Sequence, residues 1–112
     1  MSFQIILTAN FLREFKPLEK KYKSIVKDLI ALQDSLLASP VQGIPLGKDC
    51  FKIRMAIKSK GKGRSGGARV ITCIKIVHKK IFLLGIFDKS EKENISAQRL
   101  IYMLREAGLD KL

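Results

Sequence analysis

The sequence lacks negative charge over its whole middle part. No Asp or Glu occurs between Cys50 and Phe87, although the chain contains ten acidic residues in all. Ten of its 22 basic residues lie in this span: Lys52, Arg54, Lys58, Lys60, Lys62, Arg64, Arg69, Lys75, Lys79 and Lys80. They supply ten of the twelve net positive charges, because the rest of the chain carries 12 basic residues against 10 acidic ones. Such a concentrated basic surface is typical of a protein that binds a polyanion, above all a nucleic acid.

Residues that bind metals or act as acid–base pairs are scarce. The chain has one histidine, two cysteines and no pair of carboxylates near the basic span. Zinc sites need several such ligands at suitable spacing, and glycosidase-like chemistry needs two carboxylates that flank the substrate. We therefore expect neither a metal nor a cofactor. His78 falls in a predicted turn and is interpreted as facing solvent, while Cys50 and Cys73 are interpreted as reduced thiols of the core.

Long apolar runs are also missing. No stretch approaches the roughly 18–20 apolar residues that a membrane span requires. The first residues, MSFQIILTANF, lack the charged lead and the cleavage site of a signal peptide. With 112 residues, 46% of them hydrophobic, the chain is predicted to fold as a single domain over 1–112. These features predict a cytoplasmic protein with no membrane partner.

The first half of the chain predicts one strand and two helices. Residues 3–8, FQIILT, are typical of a strand because β-branched and aromatic residues dominate them. Asn10 is predicted to cap a helix, which Pro17 then breaks or kinks near Lys16 because proline removes a backbone donor. A second helix is predicted from Leu18 to Ala38, and the Gly- and Pro-containing stretch VQGIPLGKD is predicted to be a loop.

The second half predicts three strands and a final helix. The strands cover Cys50–Ile57, Ala68–Val77 and Ile81–Asp88, and the helix covers Ser96–Ala107. The last two strands are close enough to form an antiparallel hairpin, and the uninterrupted run IFLLGIF predicts an inner strand covered on both faces. The order β-α-α-β-β-β-α predicts an α+β fold, in which a small, mainly antiparallel, twisted sheet carries an N-terminal helical hairpin and a C-terminal helix.

Basic residues and glycines alternate between the first two of these strands. The segment KSKGKGRSGG lacks the GxxxxGK[ST] pattern of a P-loop, and no helix is predicted directly after it. A flexible loop without a specific task is one interpretation. The flanking strands favour another, because Lys52 and Arg54 share one face of their strand and Arg69 lies on the next strand. Bringing such cations together is unfavourable unless an anion neutralises them, which indicates an anion-binding site.

Several of these stretches resemble a known family. The run CFKIRMAIKSKGKGRSGGARVITCI, followed by IFLLGIFDKSEKENIS, is similar to the RelE/HigB-type toxins of bacterial toxin–antitoxin systems. The likeness extends over nearly the whole chain, and its most specific parts are KIRM, GKG-x-SGGAR and FDKSEKENI. It implies a RelE-like fold and a small, metal-free endoribonuclease that cuts mRNA on the ribosome and so inhibits translation. It also implies a cognate antitoxin protein as partner, with DNA contacted only through that antitoxin.

The resemblance implies roles for individual residues. Lys52 and Arg54 stand where the family offers basic side chains to the scissile phosphate. Arg69 resembles an arginine on the next strand, and Lys89 a basic residue after the last strand. The predicted catalytic residues are therefore Lys52, Arg54, Arg69 and Lys89, and the predicted RNA-binding residues are Lys58, Lys60, Lys62, Arg64 and Lys92. One departure is that some members carry a tyrosine shortly after this tail, whereas the tail here reads ENISAQ.

RNA carries its own nucleophile in the 2′-hydroxyl group. Cleavage therefore needs a base, an acid and stabilisation of a negatively charged phosphorane. A lysine among other cations gives up its proton more easily, so Lys52 is a candidate base, whereas Arg54 and Arg69 suit the phosphoryl oxygens. The alternative function is a non-catalytic basic module, which would bind RNA or the ribosome with the same cations and cut nothing.

Overall fold

The computed structural model describes residues 2–111, which form a five-stranded sheet and three α-helices. The strands are β1 (Gln4–Leu7), β2 (Ile44–Gly47), β3 (Cys50–Met55), β4 (Ala68–Lys75) and β5 (Lys80–Asp88). The helices are α1 (Ala9–Lys21), α2 (Ile25–Ala38) and α3 (Ala97–Glu106), and a short 3₁₀ turn covers Lys58–Lys60. The predicted α+β class, with two N-terminal helices and one C-terminal helix, is confirmed.

The strands are arranged in the order β1-β5-β4-β3-β2. Only the β1–β5 pair is parallel, and the other three pairs are antiparallel. The predicted hairpin between β4 and β5 is confirmed, with residues 76–79 as its loop. The prediction of an inner, doubly covered strand is confirmed as well, because β5 lies between β1 and β4 and residues 83–88 are all buried.

The two faces of the sheet carry different helices because side chains alternate along each strand. On one face, Ile53 and Val70 belong to the same apolar cluster as Phe11 of α1 and Leu29 of α2. The opposite face contributes Cys50, Ile71 and Cys73, which cluster with Leu100, Met103 and Leu104 of α3. Each face of the sheet therefore has a core of its own. The cations of β3 and β4 lie on the α3 side.

The helix boundaries correct two predictions. Thr8, not Asn10, is the N-cap of α1, because the Thr8 hydroxyl accepts the Phe11 N–H at 3.2 Å. Pro17 does not break the helix, which continues to Lys21. Phe15 and Leu18 on either side of Pro17 are both buried against the sheet, so packing outweighs the lost backbone hydrogen bond. None of the helices within residues 2–111 is long and apolar enough to cross a membrane.

The stretch predicted to be a loop contains an additional strand, β2. It pairs antiparallel with β3 as an edge strand, where a proline such as Pro45 is tolerated. The turn between the two strands places Lys48 at φ 56° and Asp49 at φ 63°. Two consecutive residues with positive φ form the usual two-residue hairpin turn. The sequence did not predict this turn because Lys48–Asp49 replaces the Asn-Gly pair that is typical of it.

A buried carboxylate at the end of β5 ties several elements together. The side chain of Asp88 is fully buried and accepts hydrogen bonds from the Tyr22 hydroxyl, the Lys60 ammonium (2.9 Å), and the backbone N–H and hydroxyl of Ser90 (2.9 and 2.8 Å). Burial alone would raise the pKa of this carboxyl, but the hydrogen bonds from Tyr22, Lys60 and Ser90 hold it well below its usual value. Asp88 thus connects the end of α1, the basic loop and the segment after β5.

Replacing Asp88→Asn is expected to destabilise the fold strongly. The Lys60 side chain is only 11% exposed, and loss of its counter-ion leaves a buried charge unpaired, which costs about 3–5 kcal/mol. Because the folded-state pKa of Asp88 is depressed, its contribution is complete above the unfolded value of about 3.9 and is lost as the pH falls further. Urea unfolding should therefore show a large stability difference at pH 7 that shrinks below about pH 4.

The exposed carboxylate Asp34 on α2 provides the matched control. Asp34→Asn removes the same charge but should change the free energy of unfolding by less than about 0.5 kcal/mol. Equal stabilities of the Asp88→Asn and Asp34→Asn proteins at pH 7 would contradict the role given to Asp88.

Candidate functional site

The four predicted catalytic residues converge at one end of the sheet. Arg54 of β3 lies directly opposite Arg69 of β4, and Lys52 shares their face two residues away. Lys89 directly follows Asp88, which pairs with Ala68 in the sheet register. The backbone N–H of Lys89 donates to the Gly67 carbonyl at 3.1 Å. We refer to Lys52, Arg54, Arg69 and Lys89 as the basic centre. Alternation along the strands brings the first three together, and strand pairing brings the fourth.

Arg69 is buried in the middle of this centre and is 1% exposed. Its Nε donates to Glu93 Oε2 at 2.8 Å and its Nη2 to Glu93 Oε1 at 3.3 Å. The remaining donors bind backbone carbonyls of Arg64 (3.3 Å), Ser65 (3.1 Å) and Ala68 (3.2 Å). All five N–H donors of the guanidinium therefore have protein acceptors. In this arrangement Arg69 fixes Glu93 and closes the loop before β4.

Glu93 is the residue that the sequence analysis missed. Besides Arg69, its carboxylate lies 3.5 Å from the Lys52 ammonium and 3.8 Å from the Lys89 ammonium. The hydrogen bond from Arg69, together with the positive charges of Arg69 and Lys52, holds the pKa of the Glu93 carboxyl below its usual value, although burial acts in the opposite direction. The sequence position of Glu93 could have indicated this contact. Glu93 follows β5 by five residues, and β5 pairs with β4, the strand that carries Arg69.

Lys52 is bound by oxygen atoms on several sides. Its ammonium donates to the Glu93 carbonyl at 3.1 Å and to the Asn94 side-chain oxygen, and it also faces the Glu93 carboxylate. The side chain is only 9% exposed. Three oxygen acceptors match the three donors of a charged ammonium group. This environment suits stabilisation of negative charge better than the role of proton acceptor.

An open groove of about 510 Å³ borders the basic centre at Lys52 and Arg54. Its lining residues are Gln42, Gly43, Ile44, Lys52, Ile53, Arg54, Arg64 and Glu93. Gly43 is required there, since a Cβ at this position would lie 2.3 Å from the Lys52 carbonyl oxygen and its φ is +91°. Arg54 and Arg64 also line an adjoining hollow of about 260 Å³ together with Lys58. The two depressions form a continuous basic surface.

The predicted RNA-binding residues fall into two groups. Lys58, Lys62 and Arg64 are exposed on the loop between β3 and β4. Lys60 instead points inward to Asp88 and lies over the Tyr22 ring, with its Nζ 5.5 Å from the ring centroid. Lys92 lies over the Phe87 ring and borders a different hollow beside α1. The structure therefore places Lys58 and Arg64 in a hollow with Arg54, leaves Lys62 exposed on the same loop, and places Lys60 and Lys92 outside the groove.

The remaining candidate residues lie elsewhere. His78 is exposed in the β4–β5 loop, as predicted. Cys50 and Cys73 face each other as free, buried thiols, and the pKa of Cys50 is raised by its hydrogen bond with Cys73 and by burial. Residues 2–111 contain no group of three or more His, Cys, Asp or Glu side chains that could hold a metal ion.

Comparisons with known proteins agree with this arrangement. A mutant of the E. coli toxin RelE, solved in the free state, matches with a TM-score of 0.59 and 17% sequence identity over 100% of both chains, which shows that the fold is shared. No curated protein sequence matches the chain at a significant level. The family model described as the RelE toxin of the RelE/RelB toxin–antitoxin system matches residues 32–109. Because that match covers well over half of the chain, this protein belongs to the RelE family of toxins of toxin–antitoxin systems.

Proposed function

We propose that this RelE-family toxin is an endoribonuclease that cleaves mRNA on the ribosome and thereby inhibits translation. The observation that carries the proposal is the basic centre, because two of its cations, Lys52 and Arg54, line an open groove and the other two lie next to them through strand pairing and Glu93. The centre retains a net positive charge because Glu93 is the single carboxylate in contact with it among the described residues. A phosphodiester group is the anion that such a groove suits best.

The environments of the cations suggest different tasks. Arg54 is exposed in the groove, so its planar guanidinium can donate two hydrogen bonds to the phosphoryl oxygens. Lys52 is fixed by its oxygen contacts and supplies a stationary positive charge to the phosphorane. Lys89 is 43% exposed, which leaves it able to donate a proton to the leaving 5′-oxygen. Arg69 positions Glu93, which in turn contacts Lys52 and Lys89. The reaction needs no metal, because these cations supply the charge stabilisation.

The proposed partners follow from the charge and the family. Toxins of the RelE/RelB type pair with an antitoxin protein, and we propose a cognate antitoxin for this chain, with DNA contacted only through it. A net charge of +12 suits an acidic antitoxin segment over the basic centre. Val26, Ile30 and Leu37 are exposed on α2 and suit an apolar segment. The proposed location is the cytoplasm, where both mRNA and ribosomes are present.

Expression in bacteria tests the function directly. The chain expressed alone should arrest growth and cause mRNA cleavage, whereas co-expression with the neighbouring gene should restore growth and yield a stoichiometric complex.

The second candidate, a non-catalytic module, is favoured by the exposed lysines of the 58–64 loop, which suit ribosomal RNA as well as mRNA. It predicts ribosome binding without cleavage products. Intact mRNA in the presence of ribosome-bound toxin would therefore favour the module and exclude the nuclease.

Cleavage products should end in a 2′,3′-cyclic phosphate or a 3′-phosphate, with a 5′-hydroxyl on the other fragment. The internal 2′-hydroxyl is the nucleophile in the proposed reaction, so no water enters the first step. End-specific labelling of fragments from programmed ribosomes measures this outcome. The rate should also be unchanged when Mg²⁺ is exchanged for Ca²⁺ under conditions that keep the ribosome intact by sedimentation. Fragments with a 3′-hydroxyl would exclude the mechanism.

Loop cations and groove cations should have separable effects. Replacing Lys58, Lys62 and Arg64 together by alanine should lower the salt dependence of ribosome binding by about two to three units of slope, because fewer counterions are released. Arg54→Ala should leave the affinity within a few-fold but lower the rate of bound complexes about a hundredfold to a thousandfold. Lys60 is left intact because its loss would unpair Asp88.

A triple variant of exposed helix lysines, Lys16, Lys20 and Lys27, controls for the lost charge. It removes the same three charges from α1 and α2, so it should leave most of the salt dependence intact. If this control lowered the slope as much as the loop variant did, the loop would have no special part in binding.

A further inference from the structure

A carboxylate stands in the middle of a site that is otherwise built from cations. Glu93 contacts Arg69, Lys52 and Lys89 and lines the groove beside Arg54 and Arg64. We propose that Glu93 is the general base, which accepts the proton of the attacking 2′-hydroxyl group. This inference rests on the proposed nuclease function and assigns the step for which the basic centre has no proton acceptor.

Glu93 is held rigidly enough for this task. Two donors of Arg69 bind its two carboxylate oxygens, and the other donors of Arg69 are fixed by the backbone of the preceding loop. The segment that carries Glu93 is anchored at its start by the Asp88–Ser90 contacts. At its end Ser96 caps α3 by accepting the Arg99 N–H at 3.0 Å. A base held in this way needs little reorganisation when the substrate arrives.

Glu93 is also within reach of a substrate. Its side chain is 44% exposed, whereas two other carboxylates near the loop, Asp88 and Asp28, are buried and accept hydrogen bonds from Lys60 and from the Lys58 N–H, respectively. Among the described residues that line the groove, Glu93 is the single carboxylate. The amide of Gln42 is directed to backbone oxygens of Ser35 and Ser39. An RNA strand bound in the groove would therefore meet one carboxylate, placed among the cations that bind its phosphate.

The charges around Glu93 keep its carboxylate in the ionised form, which is the form that a general base needs, although they also lower its basicity. The groups that face it are Lys52 and Arg54 from β3, Arg69 from β4, Lys89 after β5 and Arg64 from the loop. The hydrogen bond from Arg69 lowers the pKa of Glu93, so the carboxylate stays ionised throughout the physiological pH range. Lys52, by contrast, has three oxygen acceptors around its ammonium. The surroundings therefore assign the base to Glu93 and the electrostatic role to Lys52.

The proposed step is balanced without any further reactant. The proton of the 2′-hydroxyl moves to a Glu93 oxygen while the 2′-oxygen forms a bond to phosphorus. The bond from phosphorus to the 5′-oxygen breaks, and that oxygen takes a proton from the Lys89 ammonium. The products are a 2′,3′-cyclic phosphate and a 5′-hydroxyl. Exchange with water then returns a proton to Lys89 and removes one from Glu93.

The contacts of Glu93 also fit a different role, in which its carboxylate merely fills the phosphate position until RNA displaces it. The two roles predict opposite effects of the nearly isosteric substitution Glu93→Gln. If Glu93 is the base, single-turnover cleavage on preassembled ribosome complexes should fall about a hundredfold to ten-thousandfold, with affinity unchanged or higher. If Glu93 only occupies the site, the variant should bind more tightly and cleave at least as fast, which would overturn the proposal.

Glu91→Gln is the matched control. Glu91 is an exposed carboxylate in the same segment, two residues before Glu93, so its replacement removes the same charge close by and should leave the rate within about twofold. Glu93→Ala provides a second measurement, because sodium formate should restore part of its activity relative to sodium chloride at equal ionic strength. A rate that formate leaves unchanged would count against a missing proton acceptor.

The pH dependence of the wild-type protein tests the proposal without any substitution. A base that is ionised throughout should give a rate that is nearly constant between pH 5.5 and 7.5. A lysine base would instead make the rate rise about tenfold per pH unit over this range, and that result would overturn the assignment to Glu93. Wild-type protein that binds ribosomes but leaves mRNA intact would refute the nuclease function itself, which separates that failure from the failure of the base assignment.

Discussion

Burial of the Arg69 guanidinium is the constraint on which the rest of the site depends. A buried charge is tolerated only when it is paired and its donors are satisfied, and Arg69 meets this condition with one carboxylate and three carbonyl groups. The carbonyls belong to the end of the basic loop, and the carboxylate belongs to the segment after β5. The conformations of both segments are therefore consequences of this one buried side chain.

The distribution of acidic residues explains how the sheet accommodates so many cations. Among residues 2–111, the carboxylates that pair with cations of the acid-free span include Asp49, Asp88 and Glu93, and all three lie just outside it. Asp49 pairs with Lys75 at 3.0 Å, Asp88 with Lys60, and Glu93 with Arg69. The exposed cations Arg54, Arg64 and Lys58 line the groove or its neighbouring hollow. The cations that pair with carboxylates, Lys60, Arg69 and Lys75, are thus largely buried, whereas Arg54 and Arg64 are exposed and can bind an anion.

The parts of the structure that follow from local periodicity could be predicted from the sequence. Alternation along β3 and β4 predicted that Lys52, Arg54 and Arg69 share a face, and the apolar run of β5 predicted its inner position. Features decided by distant packing could not be predicted in this way. α1 continues through Pro17 because the sheet holds both sides of it, and Glu93 reaches Arg69 across 24 residues of sequence. Single-residue patterns carry no information on such contacts.

Cations alone make an incomplete acid–base catalyst. Arginine does not release its proton at physiological pH, and the Lys52 ammonium already donates to the Glu93 carbonyl and to Asn94, which suits it to charge stabilisation. A single carboxylate provides a proton acceptor and still leaves the centre positively charged, which preserves its attraction for phosphate. Because Arg69 holds that carboxylate, an Arg69 variant would lose activity through displacement of Glu93, even if Arg69 itself takes no part in the reaction. Glu93→Gln separates positioning from chemistry when its free energy of unfolding matches the wild-type value, because an amide oxygen and three carbonyl groups then still accept from the guanidinium.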